Sequence, residues 1–269
     1  MDDFANAGGT HLLVLNKPSW HLVGEVDGED GFRETFDLTV EVTKRASEKL
    51  PGRAWPVLGV HPGLISQLLD RGYDPEAARD LMQTGLDVAG EYVADGAALA
   101  IKSGRPHYGV TDAVWEASNE VMCHAFAVGA ERDCAVQLHT EGGDSFPDIA
   151  AWSADAGLPA ERVVKHYSEG PIEGATASVI SRKDELEAAA ESSEPFLMEP
   201  DFIDPPHRPG PVLGPNTVPP PMPSPPQPRY HAATAPPPLQ PPQSLSPIAT
   251  AATLAHRHPP FCPPPRAPL

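Results

Sequence analysis

The sequence predicts an α/β protein, an incomplete TIM-like (β/α)8 barrel followed by a disordered Pro-rich tail. Three observations carry this. Short apolar, β-branched runs alternate with helical patterns through the first 204 residues. Strand starts fall roughly 20 to 45 residues apart, the repeat of a barrel or a doubly wound sheet, and seven strands in series favour the barrel. The composition then breaks at Pro205, after which 24 of the 35 prolines fall in 65 residues without one Asp or Glu.

Taken in order, Asp2 to Ala7, closed by Gly8-Gly9, reads as a helix, so the strand that should precede it in a full barrel is expected to be missing. His11 to Leu15, Trp55 to Val60, Leu99 to Lys102, Ala135 to Leu138, Val163 to Lys165, Ala177 to Ile180 and Phe196 to Met198 are the candidate strands. Each is short and apolar enough to be covered on both faces, as in a parallel sheet. Asp74-Pro75-Glu76 supplies an N-cap, an N1 proline and an acidic first turn, with Leu81, Gly85, Val88, Ala89 and Tyr92 following on one face. Thr111-Asp112 opens a second helix, with Val114, Ala117, Val121, Met122 and Ala125 at helical spacing and Gly129 expected just past its end. Asp148 to Ala156, stopped by Gly157, is a short helix, and Ser181 to Asp184 opens another through a variant capping box.

The sequence therefore divides into a barrel over residues 1–204 and a tail over residues 205–269. The tail's prolines neither donate to a ladder nor continue a helix, and it has too few large apolar residues for a core, so polyproline II-like disorder is expected. A PxxP ligand, a solvated linker and a frame-shifted or misread GC-rich gene compete as explanations. The last is favoured, because the break falls where the barrel still needs its closing helix.

Charge and composition exclude several functions. Fifteen of the 19 basic residues precede Pro205, so the body carries −22 and the tail +4 of the total −18. A body this acidic, with only six lysines, repels nucleic-acid phosphates and anionic membranes at ordinary salt, and is of a kind common in salt-adapted proteins. No apolar run approaches the ~18 residues of a membrane span, and Met1-Asp2-Asp3 lacks the basic start of a secretory signal, so a cytoplasmic protein without membrane partners is expected. Cys123, Cys134 and Cys262 form no CxxC pair and no even disulfide framework, which points to a reducing compartment and thiols of little chemical consequence.

Barrel chemistry sits at the C-terminal ends of strands. Those ends carry His61, Lys102, His139, His166 and Asp201 in succession. Any one of them has a bland explanation: a hydrogen-bonded loop histidine, a salt-bridging lysine, a turn-capping aspartate. Jointly, imidazoles and a carboxylate on one rim suit a divalent metal such as Zn2+, which lowers the pKa of a bound water toward neutrality.

The segments Leu58-Gly59-Val60-His61-Pro62, Ser103-Gly104-Arg105-Pro106-His107-Tyr108, Gln137-Leu138-His139-Thr140, Val164-Lys165-His166-Tyr167 and Met198-Glu199-Pro200-Asp201-Phe202 resemble the TatD-related metal-dependent hydrolases of the amidohydrolase superfamily, the archaeal branch most closely. The resemblance runs from about Phe4 to Gly214, concentrated in these five stretches. It implies a TIM-like barrel with one or two divalent ions, zinc first and magnesium or manganese possible, and a metal-activated water that cleaves an ester, amide or phosphodiester bond. On that mapping Lys102, His139, His166 and Asp201 are the metal-binding positions, and Asp201 is also the general base. His61 and His107 lie near the mouth to meet substrate, and Arg105 offers a planar donor fork to an anionic group. A small-molecule or phosphodiester substrate follows, with DNA disfavoured by charge.

Three departures stand against the resemblance. The H-x-H of the family's first strand has no counterpart. Pro200 stands inside an element that usually reads E-T-D, so Asp201 is expected to be held differently. Lys102 occupies the place of a bridging Glu, which raises the possibility of a carbamylated lysine joining two metals, weighed evenly against a plain ammonium. The competing expectation is a catalytically inactive barrel fragment with no metal site, acting at most through its Pro-rich tail.

Overall fold

The computed structural model of the protein describes residues 1–16, 26–192, 194–202 and 213–218. The expected tail disorder falls almost wholly outside these residues. In chain order the elements are α1 (Asp2–Asn6), β1 (Leu12–Leu15), α2 (Glu29–Lys49), β2 (Ala54–Gly59), α3 (Leu64–Asp70), α4 (Pro75–Ala94), β3 (Ala100–Gly104), α5 (Asp112–Glu131), β4 (Ala135–His139), α6 (Pro147–Asp155), β5 (Val163–Ser168), β6 (Thr176–Ile180), α7 (Lys183–Glu191) and β7 (Phe196–Glu199). The seven strands form one sheet in the order β1 to β7, every neighbouring pair parallel. This is the TIM-like topology, and the sheet is open between β7 and β1 among the described residues.

Local chemistry sets the boundaries. The Asp74 carboxylate accepts the Ala77 N–H at 2.8 Å, and the Thr111 hydroxyl accepts that of Val114 at 3.4 Å, so both expected caps start their helices. The capping box at Ser181 does not form: Arg182 is the N-cap of α7 and makes no side-chain cap. Gly129 does not end α5 but lies inside it, at a close approach to β4 where a Cβ would sit 2.5 Å from Val136 Cγ2. The strand spacing has one exception, since β5 and β6 are joined through residues 169–175 without a helix.

Parallel register sorts the side chains onto two faces. On the outer face Leu58, Ile101, Val136 and Leu138 join Met82, Leu86, Met122 and Phe126 of α4 and α5 in the main core. On the inner face the pairs Gly59↔Lys102, Lys102↔Gln137 and Gly104↔His139 stand at successive levels. Below them the pairs Val57↔Ala100 and Ala100↔Ala135 are apolar.

Candidate active site

The site is assembled at that end. Gly59 (φ +154°) closes β2 and Gly104 (φ +145°) closes β3. Side chains are excluded there, because a Cβ on Gly59 would lie 2.0 Å from the Lys102 carbonyl oxygen and one on Gly104 1.9 Å from that of His139. Asn16, just past β1, fastens the rim: its amide donates to Gly59 O at 2.9 Å and its carbonyl oxygen accepts Gly59 N–H at 2.8 Å, extending the ladder by one side chain.

Four imidazoles meet above these strand ends. The His139 ring lies 4.5 Å from His61, 4.9 Å from His107 and 5.2 Å from His166, measured between centroids. His139 Nε2 and His107 Nδ1 share a 2.9 Å hydrogen bond, and His61 Nδ1 accepts the Gly63 N–H at 3.0 Å. Burial drives the His139 pKa down to about 2, and the charges of His61, His166, Lys102 and His107 act in the same direction. His139 is therefore a neutral ring near pH 7.

His166 stands between two carboxylates. Its Nδ1 is 2.6 Å from Glu199 Oε1 and its Nε2 3.7 Å from Asp201 Oδ1. The Nδ1 contact is close but off the ring N–H axis, so this buried nitrogen has no well-formed hydrogen bond. Glu199 is itself fixed: its Oε1 accepts the Tyr167 N–H at 2.9 Å and its Oε2 the Ser178 hydroxyl. Burial would raise the Glu199 pKa, but the His166 contact and charge, Ser178 and the Tyr167 N–H outweigh it and hold the carboxyl below its usual range. Lys102 is only 6% exposed, and burial lowers its pKa to about 8 against the opposing pull of Glu199 and Asp201. Two non-glycine residues here adopt left-handed backbone, Tyr167 (φ 57°) and Asp201 (φ 47°), and such strain clusters at functional sites.

Six of the seven expected residues, His61, Lys102, His107, His139, His166 and Asp201, thus gather at one end of the sheet. Arg105 requires correction. It is 3% exposed, and its fork is filled from within the chain. Nε donates to Glu141 Oε2 at 2.8 Å, Nη2 to Glu141 Oε1, and Nη1 to Asp148 Oδ2 at 2.5 Å, while the guanidinium stacks on Trp115 at 4.8 Å. A fork saturated by two carboxylates is not offered to a substrate anion; Arg105 instead locks the strand-end loops together. The sequence reading left the role of Glu199 open. Its place at the last position of β7, two residues before Asp201, was the available signal.

The Nε2 of His166 and the carboxylate of Asp201 have the spacing of adjacent ligands on one ion, and a His nitrogen backed by Glu199 is the usual support for a metal-binding imidazole. No group of three His, Cys, Asp or Glu side chains is close enough to hold an ion among the described residues. His139 Nε2 is engaged by His107, so the fit is that of a two-residue face.

The family described as TatD related DNase matches residues 2–221. An uncharacterized protein of Methanocaldococcus jannaschii is 32% identical over 225 residues, which cover 80% of this chain and 77% of that protein. Among solved structures, a double mutant of the organophosphorus hydrolase from Deinococcus radiodurans aligns at 12% identity and TM-score 0.33, over 70% of this chain and 62% of that one. An organophosphate hydrolase engineered from a weak promiscuous lactonase template aligns at 12% identity and TM-score 0.36, over 70% and 64%. The chain spans less than two thirds of the length of either structure. From the match over residues 2–221 and the extended identity to the archaeal protein, the chain belongs to the TatD-related DNase family.

Proposed function

We propose that the chain is a metal-dependent hydrolase that cleaves an ester, amide or phosphodiester bond, with zinc as the metal its nitrogen and oxygen donors suit best. The observation that carries this reading is His166, set with Glu199 behind one nitrogen and Asp201 before the other. A divalent cation, when bound, supplies Lewis acidity toward the scissile acyl or phosphoryl group and makes water more acidic. His166 and Asp201 would hold it, joined by His139 if its ring leaves His107. Glu199 fixes the His166 ring and compensates positive charge. Asp201, at the rim, takes the proton of the attacking water, while His61 and His107 line the approach. Lys102 is compensated by Glu199 and Asp201 as an ammonium; a carbamate there would add a third negative charge, which only bound cations would offset.

Calorimetric titration of metal-depleted protein with Zn2+, paired with turnover of simple esters and of single-stranded DNA, tests the reading. Saturable binding that is lost in His166→Ala and Asp201→Asn, with turnover falling at least about a hundredfold in each, is expected. Wild-type protein that binds no metal and turns over neither substrate would leave the inactive-barrel reading in its place.

A further inference from the structure

Between β5 and β6 the ladder slips. Lys165 faces Ala177 and Ser168 faces Val179, so His166 and Tyr167 together stand opposite Ser178 alone, a β-bulge at the end of the strand. Regular alternation would send Tyr167 to the face opposite His166. With the bulge and its left-handed backbone (φ 57°), the Tyr167 ring instead stands edge-on to His166, at 6.1 Å and 71°. Its N–H is fixed on Glu199 Oε1 at 2.9 Å, so the ring is held from the same carboxylate that backs the imidazole.

The far end of that ring carries a cation. The Tyr167 hydroxyl accepts Arg182 Nη2 at 3.1 Å, from two residues past the end of β6, and Arg182 Cζ lies 6.0 Å from the ring centroid. The guanidinium is thus no more than two such steps from the His166 imidazole, within reach of a small two-ended molecule. The Arg182 side chain is 34% exposed, and its one carboxylate contact is Glu185 Oε1 at 3.2 Å from Nη1. Among the described residues its Nε makes no hydrogen bond, so the fork keeps donors to spare. Arg105 differs on both counts, being 3% exposed and filled by Glu141 and Asp148. Of Lys102, Arg105, Lys165 and Arg182, only Arg182 is substantially exposed. A chain of net charge −18 opposes highly charged ligands, whereas a single carboxylate matches a planar fork at the least electrostatic cost.

We infer that Arg182, steadied by Tyr167, is a specificity residue that receives a carboxylate at the far end of a small substrate, whose scissile bond lies at His166 and Asp201. This deepens the hydrolase reading and rests on it. Binding is measured apart from turnover. The full chain, depleted of metal, is titrated at about 0.15 M salt with the monomethyl esters of succinate, adipate and suberate, each against its neutral dimethyl ester. Hexyl phosphate and single-stranded oligothymidylate are titrated alongside. The half-ester of best-fitting length is expected to bind about tenfold more tightly than its diester, the scale of one charge-assisted hydrogen bond at a part-exposed site. Arg182→Met should remove that ratio, Arg182→Lys should keep part of it, and Tyr167→Phe, which loses only the hydroxyl, should reduce it. Arg162→Met, which removes the same charge from the ion pair with Asp133, should leave it as in the wild type. Equal affinity for half-ester and diester at every length, no binding of either, or a ratio that survives Arg182→Met would each overturn the inference. So would an equal loss in Arg162→Met, or tighter binding of hexyl phosphate or of the oligonucleotide. Hydrolysis of the same esters with added Zn2+ is followed separately. Carboxylate preference without turnover would sink the hydrolase reading alone, and turnover without carboxylate preference would sink the role of Arg182 alone.

Discussion

At the scale of single residues, the site depends on groups whose charge is fixed by neighbours. Glu199 is the clearest case, since it faces His166, the Tyr167 N–H and Ser178 at once. Glu199→Gln keeps the shape and removes the charge, so metal affinity should fall about 10- to 100-fold in a Zn2+ titration with the fold intact by circular dichroism. Arg105 fails in a different way. Arg105→Met would leave Glu141 and Asp148 facing each other without a cation, and the partial exposure of both carboxylates limits the cost to about 2 kcal/mol, read from the urea midpoint. The same pair gives a pH signature. Burial raises the Glu141 pKa, but the Arg105 and Thr140 hydrogen bonds and the Arg105 charge outweigh it, so the folded value lies below the unfolded one. Its stabilisation is therefore present above the unfolded carboxyl pKa of about 4.3 and is lost as pH falls through the folded value. Between about pH 5 and pH 3 the wild-type urea midpoint should drop more steeply than that of Glu141→Gln; parallel slopes would show that the pair adds nothing.

At the scale of elements, the strand ends are limited by backbone approach rather than by side-chain packing. Gly104→Ala would drive a Cβ to 1.9 Å from the His139 carbonyl oxygen in a conformation that L residues rarely adopt. A loss of about 3 kcal/mol in chemical denaturation is expected, with weakened metal binding because β3 and β4 must part where His139 is held. A wild-type midpoint in that variant would mean that the rim relaxes freely. The helices show which signals a sequence transmits. The caps of α4 and α5 were legible because Asp74 and Thr111 act on amides three residues away. The 21-residue α2 was not anticipated, because half of its buried stripe is threonine: Thr35, Thr39 and Thr43 lie beside Phe32, Phe36 and Ala46. Their hydroxyls bond to the carbonyls of Gly31, Thr35 and Thr39, so the stripe is buried without being apolar. The helix α3, which begins at Leu64 after Gly63 with no side-chain cap, was missed for want of a start signal.

At the scale of the molecule, 37 acidic against 19 basic residues make self-repulsion a property of the whole surface. Raising KCl from about 0.1 M to about 1 M shortens the Debye length from roughly 10 Å to 3 Å, and the thermal midpoint should rise by several degrees. A midpoint that falls would show that specific ion pairs such as Arg79–Glu120 outweigh the mean repulsion. No helix among the described residues is long and apolar enough to cross a membrane. The sequence by itself determined the seven strands, their parallel order and the residues at their ends. A strand buried on both faces must be written as an apolar run, and the first polar residue after it marks the rim. It also determined which imidazoles, lysine and carboxylate reach that rim. Only the tertiary structure decided how they are used: that His166 is flanked by Glu199 and Asp201, that His139 turns to His107, and that the Arg105 fork closes on Glu141 and Asp148. These partners lie up to 43 residues apart in the chain and come from different strands and loops. No local pattern encodes the direction in which a guanidinium or an imidazole points once the sheet has curled.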